Sequence, residues 1–441
     1  MVTPIEQRYI DLHPKSAEKY AVSKGIFPNG VTHDARNQSP FPHFVTHAAG
    51  AYKWDVDGNR IIDYRTGHGS MILGHSHPDV VAAVTEQMSK GTHFSASTDL
   101  EIEWGELVKE LVPCAEKVRF TSSGTEATMM AFRIVRAYTG KTKIIKFEDH
   151  FHGWNDYALA GGAGLGGIPR ETLSTMIVLP RNDIGAVEKT IRNNEVAAVI
   201  LEPTGSHMGT EPILPTFLRE LRELTEQSGT ILVFDEVVTG FRTSKGGAQG
   251  YYGVTPDVSS LAKILGGGLP GGAVAGKADI IDTIQLKHDR EHDRSKRVSH
   301  PGTFNANPLS ASAGVTALKL LSRTTVNEKT DAMGRRLKAG INEVLGRMEV
   351  PGCASGLNSL VHLRLGVEHE CDKEVCNMST EELRTSNDAG RNSQLHLALM
   401  NRGVDSGYRF IMHSALSEQD VDETVEAVQQ SVADLRAEGL V

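Results

Sequence analysis

Residues 231–242 read I-L-V-F-D-E-V-V-T-G-F-R. Ile231–Phe234 is a short, unbroken apolar run rich in β-branched and aromatic residues, and Gly229 bounds it. Such a run predicts a strand buried on both faces of a parallel sheet. Its last residues, Asp235 and Glu236, call for something cationic to meet them, because an unpaired buried charge is costly. Asp235 reads either as a cap of the following turn or as a site residue, since open α/β sheets place ligands beyond the carboxyl ends of their strands. The companion stretch is S-S-L-A-K-I-L-G-G-G-L-P-G-G, residues 259–272. Lys263 stands there among small residues, before glycines that no regular element uses. A lysine so walled can lose its charge and act as an amine nucleophile.

A carboxylate for a pyridinium nitrogen and an imine-forming lysine are the two groups that pyridoxal phosphate (PLP) requires of a protein. With both blocks present in this order, the chain resembles the class III, fold-type I, PLP-dependent aminotransferases. The likeness runs from about Phe27 to the C-terminus. It is nearest to the branch holding glutamate-1-semialdehyde aminomutase, β-amino-acid aminotransferases and D-phenylglycine aminotransferase. P-N-G-V-T-H-D-A-R, D-V-D-G-N, G-H-G-S-M-I-L-G-H, F-H-G-W and E-P-T-G-S-H carry that branch assignment. The resemblance implies an α/β fold: a large domain with a mixed, mostly parallel sheet flanked by helices, plus a small α+β domain built from both termini. The implied division is 1–70 (small domain), 71–315 (large, PLP-binding) and 316–441 (small domain).

Composition agrees with an enzyme of this kind. The chain has 441 residues, 39% of them hydrophobic, enough for a sizeable core. A net charge of -9 argues against nucleic acid, whose phosphates demand a clustered basic surface. The four cysteines, Cys114, Cys353, Cys371 and Cys376, show no C-x-x-C spacing and read as reduced thiols. No apolar run of about 18 residues occurs, so a cytoplasmic, non-membrane protein is expected.

Along the chain, Gly50–Tyr64 reads as a hairpin around Asp57-Gly58. In Thr66–Pro78, His75 and His77 lack further ligands at metal-site spacing, so no metal is expected. The resemblance places His68 beside the substrate. Ser122–Ala127, S-S-G-T-E-A, follows a strand at Lys117–Thr121 and opens a helix. Free N–H groups and the positive dipole end make such a turn an anion site. Ser123, Gly124 and Thr125 are the phosphate candidates, and Ser123 with Glu126 equally reads as a capping box. Phe151 precedes H-G, where the family places an aromatic on the pyridine ring; many relatives carry tyrosine there. His152, Glu202 and Val237 are the further cofactor contacts that the resemblance implies. Gly162, Gly164 and Gly167 form a G-x-G-x-x-G with no leading strand, read as an active-site lid or a plain surface loop. His288 and His292 lie in a charged, solvated segment. His300–Leu309 matches the family's G-T-F-x-x-N-P block, in which the threonine, here Thr303, reaches the cofactor phosphate of the neighbouring subunit. That implies a homodimer with shared active sites. Of the two long helices in 307–348, the first is expected to cross to the small domain.

Arg36 occupies the position of the branch's carboxylate-binding arginine, and guanidinium pairs bidentately with carboxylate. Arg409 is a second candidate for the same task. The leading reading is ping-pong transamination between a small α- or β-amino carboxylate and a keto acid, with Lys263 and Asp235 as catalytic residues. An intramolecular aminomutase acting on glutamate-1-semialdehyde is the alternative. Phe151 in place of tyrosine, and Gly407-Tyr408-Arg409 where a glutamate is expected, count against it. Racemisation stays open, as does a PLP-binding protein without transfer activity, though such relatives usually lose the lysine or the aspartate.

Overall fold

The computed structural model describes residues 2–367, 375, 376 and 378–441. Chain contacts divide it into two compact units. One comprises Gly67–Met71 and Pro78–Asn327; the other comprises Met1–Thr66, Ile72–His77 and Glu328–Val441.

The first unit is built on seven strands: β1 (Lys117–Thr121), β2 (Lys143–Phe147), β3 (Met176–Leu179), β4 (Val196–Leu201), β5 (Ile231–Asp235), β6 (Val258–Ala262) and β7 (Gly272–Gly276). Their order is β1-β7-β6-β5-β4-β2-β3. Only β7 runs antiparallel to its neighbours, β6 and β1. The helices of this unit include α1 (Pro78–Lys90), α2 (Asp99–Leu111), α3 (Gly124–Thr139), α4 (Ile184–Asn193), α5 (Pro215–Ser228) and α6 (Pro308–Arg323).

The opening stretch forms the expected buried strand: all five residues of β5 are buried. Alternation sends Ile231 and Val233 into one core with Ala127 and Ile134 of α3, while Leu232 and Phe234 enter another with Leu218 and Leu221 of α5. Asp235, two residues beyond Val233, continues the α3 face. At roughly 1.5–3 kcal/mol per buried large aliphatic or aromatic side chain, these two cores hold the strand end rigid.

One expectation changes. The helix expected to cross to the small domain, α6, packs against α1 and α2 and belongs wholly to the large unit, and the chain passes to the other unit between Asn327 and Glu328. Its small, buried Ser310–Gly314 run lets neighbouring backbones approach closely, and a crossing helix would forfeit that packing. The strand β6, with Ser259 and Ser260 fully buried, did not announce itself as apolar.

The second unit has two small sheets. One orders Val45–Ala49, Tyr52–Asp55, Arg60–Asp63 and Val404–Asp405; the other orders Gly352–Ser355, Leu360–Leu365 and Arg409–Ile411. The Asp57-Gly58 hairpin pairs antiparallel as read. An ionic cluster is buried here. Lys53 meets Asp405, and its Nζ lies 3.2 Å from Asp63 Oδ1. Arg65 Nε lies 3.0 Å from Asp405 Oδ1. His75 is taken up by Asp63 at 2.7 Å. Among the described residues, no group of three or more potential metal ligands occurs, and no helix is long and apolar enough to cross a membrane. Cys114, Cys353 and Cys376 form no disulfide; Cys371 lies outside the described residues.

Candidate active site

β5 and β6 are parallel neighbours, with Asp235 opposite Ser260. Lys263 therefore leaves β6 three residues past the position level with Asp235, on the adjacent strand. It does so with φ 52, in the left-handed region that costs an L-residue energy and recurs at functional sites. Burial lowers the Lys263 pKa; Asp235 and Glu202 oppose that shift, and Arg242 adds to it. The amine is thus drawn towards the neutral, nucleophilic form.

Asp235 is buried and meets no lysine or arginine within ion-pair distance among the described residues. Its partner is His152, whose Nδ1 lies 2.7 Å from Asp235 Oδ2. Read as a donor to that carboxyl oxygen, Nδ1 carries the proton. Burial pushes the His152 pKa down against the opposing hydrogen bond. The Val237 N–H donates to the other carboxyl oxygen at 3.1 Å. Glu236 also departs from the expected cation. It is buried on the opposite face and collects the N–H groups of Ala248 and Gln249 at 2.7 and 3.1 Å, the Gln249 side-chain amide and the Thr239 hydroxyl. Backbone donors satisfy a buried carboxyl as well as a cation does, without a second desolvated charge.

Glu202 directly follows β4, the neighbour of β5. Its Oε1 accepts the Phe151 N–H at 2.8 Å, and the Met208 backbone is a further hydrogen-bond partner. Its own N–H donates to His150 Nδ1 at 2.9 Å. Burial first, and Asp235 second, push its pKa up to about 8. At neutral pH it is a neutral acid that ties the Phe151 segment to the turn at 205–209.

The helix α3 begins as the S-S-G-T-E pattern predicts. Ser123 Oγ accepts the Glu126 N–H at 3.2 Å, and Glu126 reaches back to the Ser122 N–H, one residue earlier than a capping box would. The first N–H groups of a helix have no intrahelical acceptor, so those of Gly124 and Thr125 are offered outward. A Cβ on Gly124 would lie 2.9 Å from Val237 and 3.3 Å from Ala262. The phosphate-type turn, the segment after Asp235 and the strand before Lys263 therefore converge. Gly153, with φ 89, passes over Thr125 closely enough that a Cβ would sit 2.6 Å from its hydroxyl. Phe151, two residues before Gly153, is 58% exposed.

Of the remaining candidates, His68 (φ 57, exposed) and Thr303 (exposed) belong to this same unit. Arg36 and Arg409 belong to the other. Arg36 is exposed and donates to Thr32 Oγ1 at 2.9 Å, and the Arg409 guanidinium stacks on the Tyr408 ring, 4.5 Å from its centroid. Three residues escaped the sequence reading. Arg242, fully buried, donates to the Gly69 carbonyl at 2.9 Å and so ties down the loop of His68. His150 accepts from Glu202. Lys146, pushed down to about 8 by burial, donates to the Ala158 carbonyl at 2.7 Å. Arg242 stood in the quoted F-R; the other two gave no local signal.

These residues fit PLP. An anion-binding helix start, an exposed aromatic, a buried carboxyl held by a histidine, and a lysine drawn towards neutrality stand at the carboxyl ends of β1, β2, β5 and β6.

Comparison with known proteins agrees. The family model "Aminotransferase class-III" matches residues 33–357. The chain is 42% identical over 351 residues to a glutamate-1-semialdehyde 2,1-aminomutase from Desulfotalea psychrophila, covering 76% of this chain and 80% of that one. An ω-transaminase from Sphaerobacter thermophilus superposes with a TM-score of 0.87 at 33% identity, covering 96% and 98% of the two chains. A β-phenylalanine aminotransferase from Variovorax paradoxus gives 0.83 at 29% identity, covering 98% and 97%. The chain belongs to the class III aminotransferase family, PLP-dependent enzymes of the fold-type I architecture.

Proposed function

We propose that the protein is an aminotransferase that moves an amino group between a small α- or β-amino carboxylate and a keto acid. Bound PLP supplies the electron sink that makes a proton next to the amine removable. Lys263 then serves as covalent anchor and as the base that takes and returns that proton, for which a lowered pKa suits it. Asp235, held by His152, would meet the ring nitrogen and keep it protonated. Gly124, Thr125 and the Ser123 turn would hold the phosphate, and Phe151 would cover one ring face. Val237, against Gly124, walls the other side of the turn. Arg36 and Arg409 are assigned to the substrate carboxylate, and His68 to the substrate. The Thr303 hydroxyl, which makes no hydrogen bond within its own chain among the described residues, meets the cofactor phosphate of a second copy in a homodimer.

The observation that carries transfer over isomerisation is a pair of replacements. Phe151 lacks the hydroxyl of the tyrosine usual in the mutase, and Gly407-Tyr408-Arg409 stands where a glutamate is expected. The likeness to an ω-transaminase and a β-phenylalanine aminotransferase supports the same reading. The 42% identity to an aminomutase supports the second reading, intramolecular transfer on glutamate-1-semialdehyde. A half-reaction screen separates them. D- and L-α-amino acids, β-amino acids and glutamate-1-semialdehyde are added singly to the PLP-loaded enzyme while the cofactor absorption is followed. Stable conversion to the pyridoxamine form with release of a keto acid supports transfer. Isomer formed from glutamate-1-semialdehyde alone, without keto acid, overturns it.

A further inference from the structure

The loop from Ser299 to Asn307 carries Thr303 at its exposed tip. Its far end is fixed by α6, whose cap Asn307 accepts the Ser310 N–H at 2.9 Å. Between tip and cap, Ala306 sits at φ 49, a conformation an alanine holds only when its surroundings impose it. The near end is fixed by one side chain. Arg119, half-buried on the edge strand β1, donates from Nε to His300 Nδ1 at 3.0 Å and from Nη2 to the His300 carbonyl at 3.1 Å. This is a two-pronged grip on ring and backbone of one residue, which a planar guanidinium makes and an ammonium does not. Further holds are weaker: the Asn305 amide lies 3.4 Å from the His300 ring nitrogens, and Arg133 reaches the Ser299 carbonyl at 3.5 Å.

The grip requires a neutral imidazole, because a protonated ring has no lone pair for Arg119. The surroundings keep it neutral. Burial and then Arg119 lower the His300 pKa; Arg133 acts the same way and Glu126 opposes. Arg119, Phe120, Arg297, Gly302 and Thr303 line one cavity of about 980 Å³, so the clamp and the tip share a wall.

We infer that Arg119 is a positioning residue that holds the loop so that Thr303 is presented to the cofactor phosphate of a second copy of this chain. The inference rests on the reading of Thr303 given above. It predicts that Arg119 acts on cofactor binding through Thr303 and not beside it. A double-mutant cycle in the full-length protein tests this, with the dissociation constant of PLP read from absorbance titration of the apoprotein and the melting temperature of the apoprotein read alongside. Thr303→Ala and Arg119→Ala should each weaken PLP binding about 10-fold or more. The double variant should be no weaker than Thr303→Ala within about 3-fold, with apoprotein melting close to wild type. An unchanged affinity in Thr303→Ala removes the reading of Thr303 itself. A weakened Thr303→Ala beside an unchanged Arg119→Ala overturns the role of Arg119, as do additive effects in the double variant. If Arg119→Ala does not fold, Arg119→Lys carries the same test. It keeps the charge but loses the fork, so weaker, non-additive binding supports the clamp and wild-type affinity refutes it.

Discussion

Replacing Gly153 by alanine measures how tightly the Phe151 segment is laid over the start of α3. Gly153 has φ 89, and a Cβ there would lie 2.6 Å from Thr125 Oγ1, 2.9 Å from its Cα and 3.0 Å from its Cβ. The backbone conformation costs an L-residue about 1–2 kcal/mol. The overlap adds about 1–3 kcal/mol, because the Cα it meets belongs to a helix start that cannot swing aside as a flexible side-chain tip would. About 3 kcal/mol is released if residues 150–154 lift from the helix. Lifting displaces Phe151 and His152 together, so the strain should surface as lost cofactor affinity of about 10²-fold, at 1.4 kcal/mol per decade. The assay is PLP titration of apoprotein followed by absorbance. Gly140→Ala is the control: that glycine caps the other end of α3 at φ 69 with nothing within 4 Å of a Cβ. It bears the conformational cost without the overlap and should leave affinity unchanged. Gly153→Ala binding PLP within about threefold of wild type would refute the reasoning, as would equal losses in both variants.

Borohydride reduction of the PLP-loaded enzyme should fix cofactor mass on the peptide containing Lys263, and Lys263→Ala should abolish that labelling; undiminished labelling would remove Lys263 from its role. Arg36→Ala should raise KM for amino carboxylates at least 10-fold more than for simple amines, a difference of about 1.4 kcal/mol or more for the lost ion pair. Equal effects on both substrate types would take Arg36 out of substrate recognition. Acid should destabilise the unit built from both termini. Burial, the largest cause in each, lowers His43 to about 4 and His396 to about 3, so between pH 6.5 and those values the unfolded chain binds more protons than the folded one. Stability is then present above pH 6.5 and lost as pH falls, by up to about 1.4 kcal/mol per pH unit for each group. Urea midpoints that stay level from pH 6.5 to 4.5 would contradict this.

Much of the large unit was legible because its strands are continuous apolar runs stopped by glycine or by a charged turn. Val196–Leu201 and Ile231–Phe234 admit little else. The strand Val258–Ala262 was not, because V-S-S-L-A carries two hydroxyls. In the fold Ser260 sits level with Asp235 between two neighbouring strands, where small side chains, not apolar ones, are what the space requires. The helix Pro308–Arg323 was legible as a helix and misplaced as a crossing element. Nothing in its own pattern says which partner accepts a face of Ser310, Ala311 and Gly314.

The site shows the same division more sharply. Asp235 and Glu236 are adjacent and chemically alike in sequence, and both were expected to need a cation. Alternation along the strand sends them to opposite faces. One meets backbone N–H groups at 248 and 249; the other meets a histidine 83 residues away. No local pattern distinguishes those fates, because each depends on what a distant segment delivers. Glu202 extends the argument. Buried next to Asp235, it is pushed up to about 8, so at neutral pH it holds a proton and adds no second negative charge opposite Lys263. Asp235 is held by His152, while Glu202, as a neutral acid, fixes the backbone of Phe151.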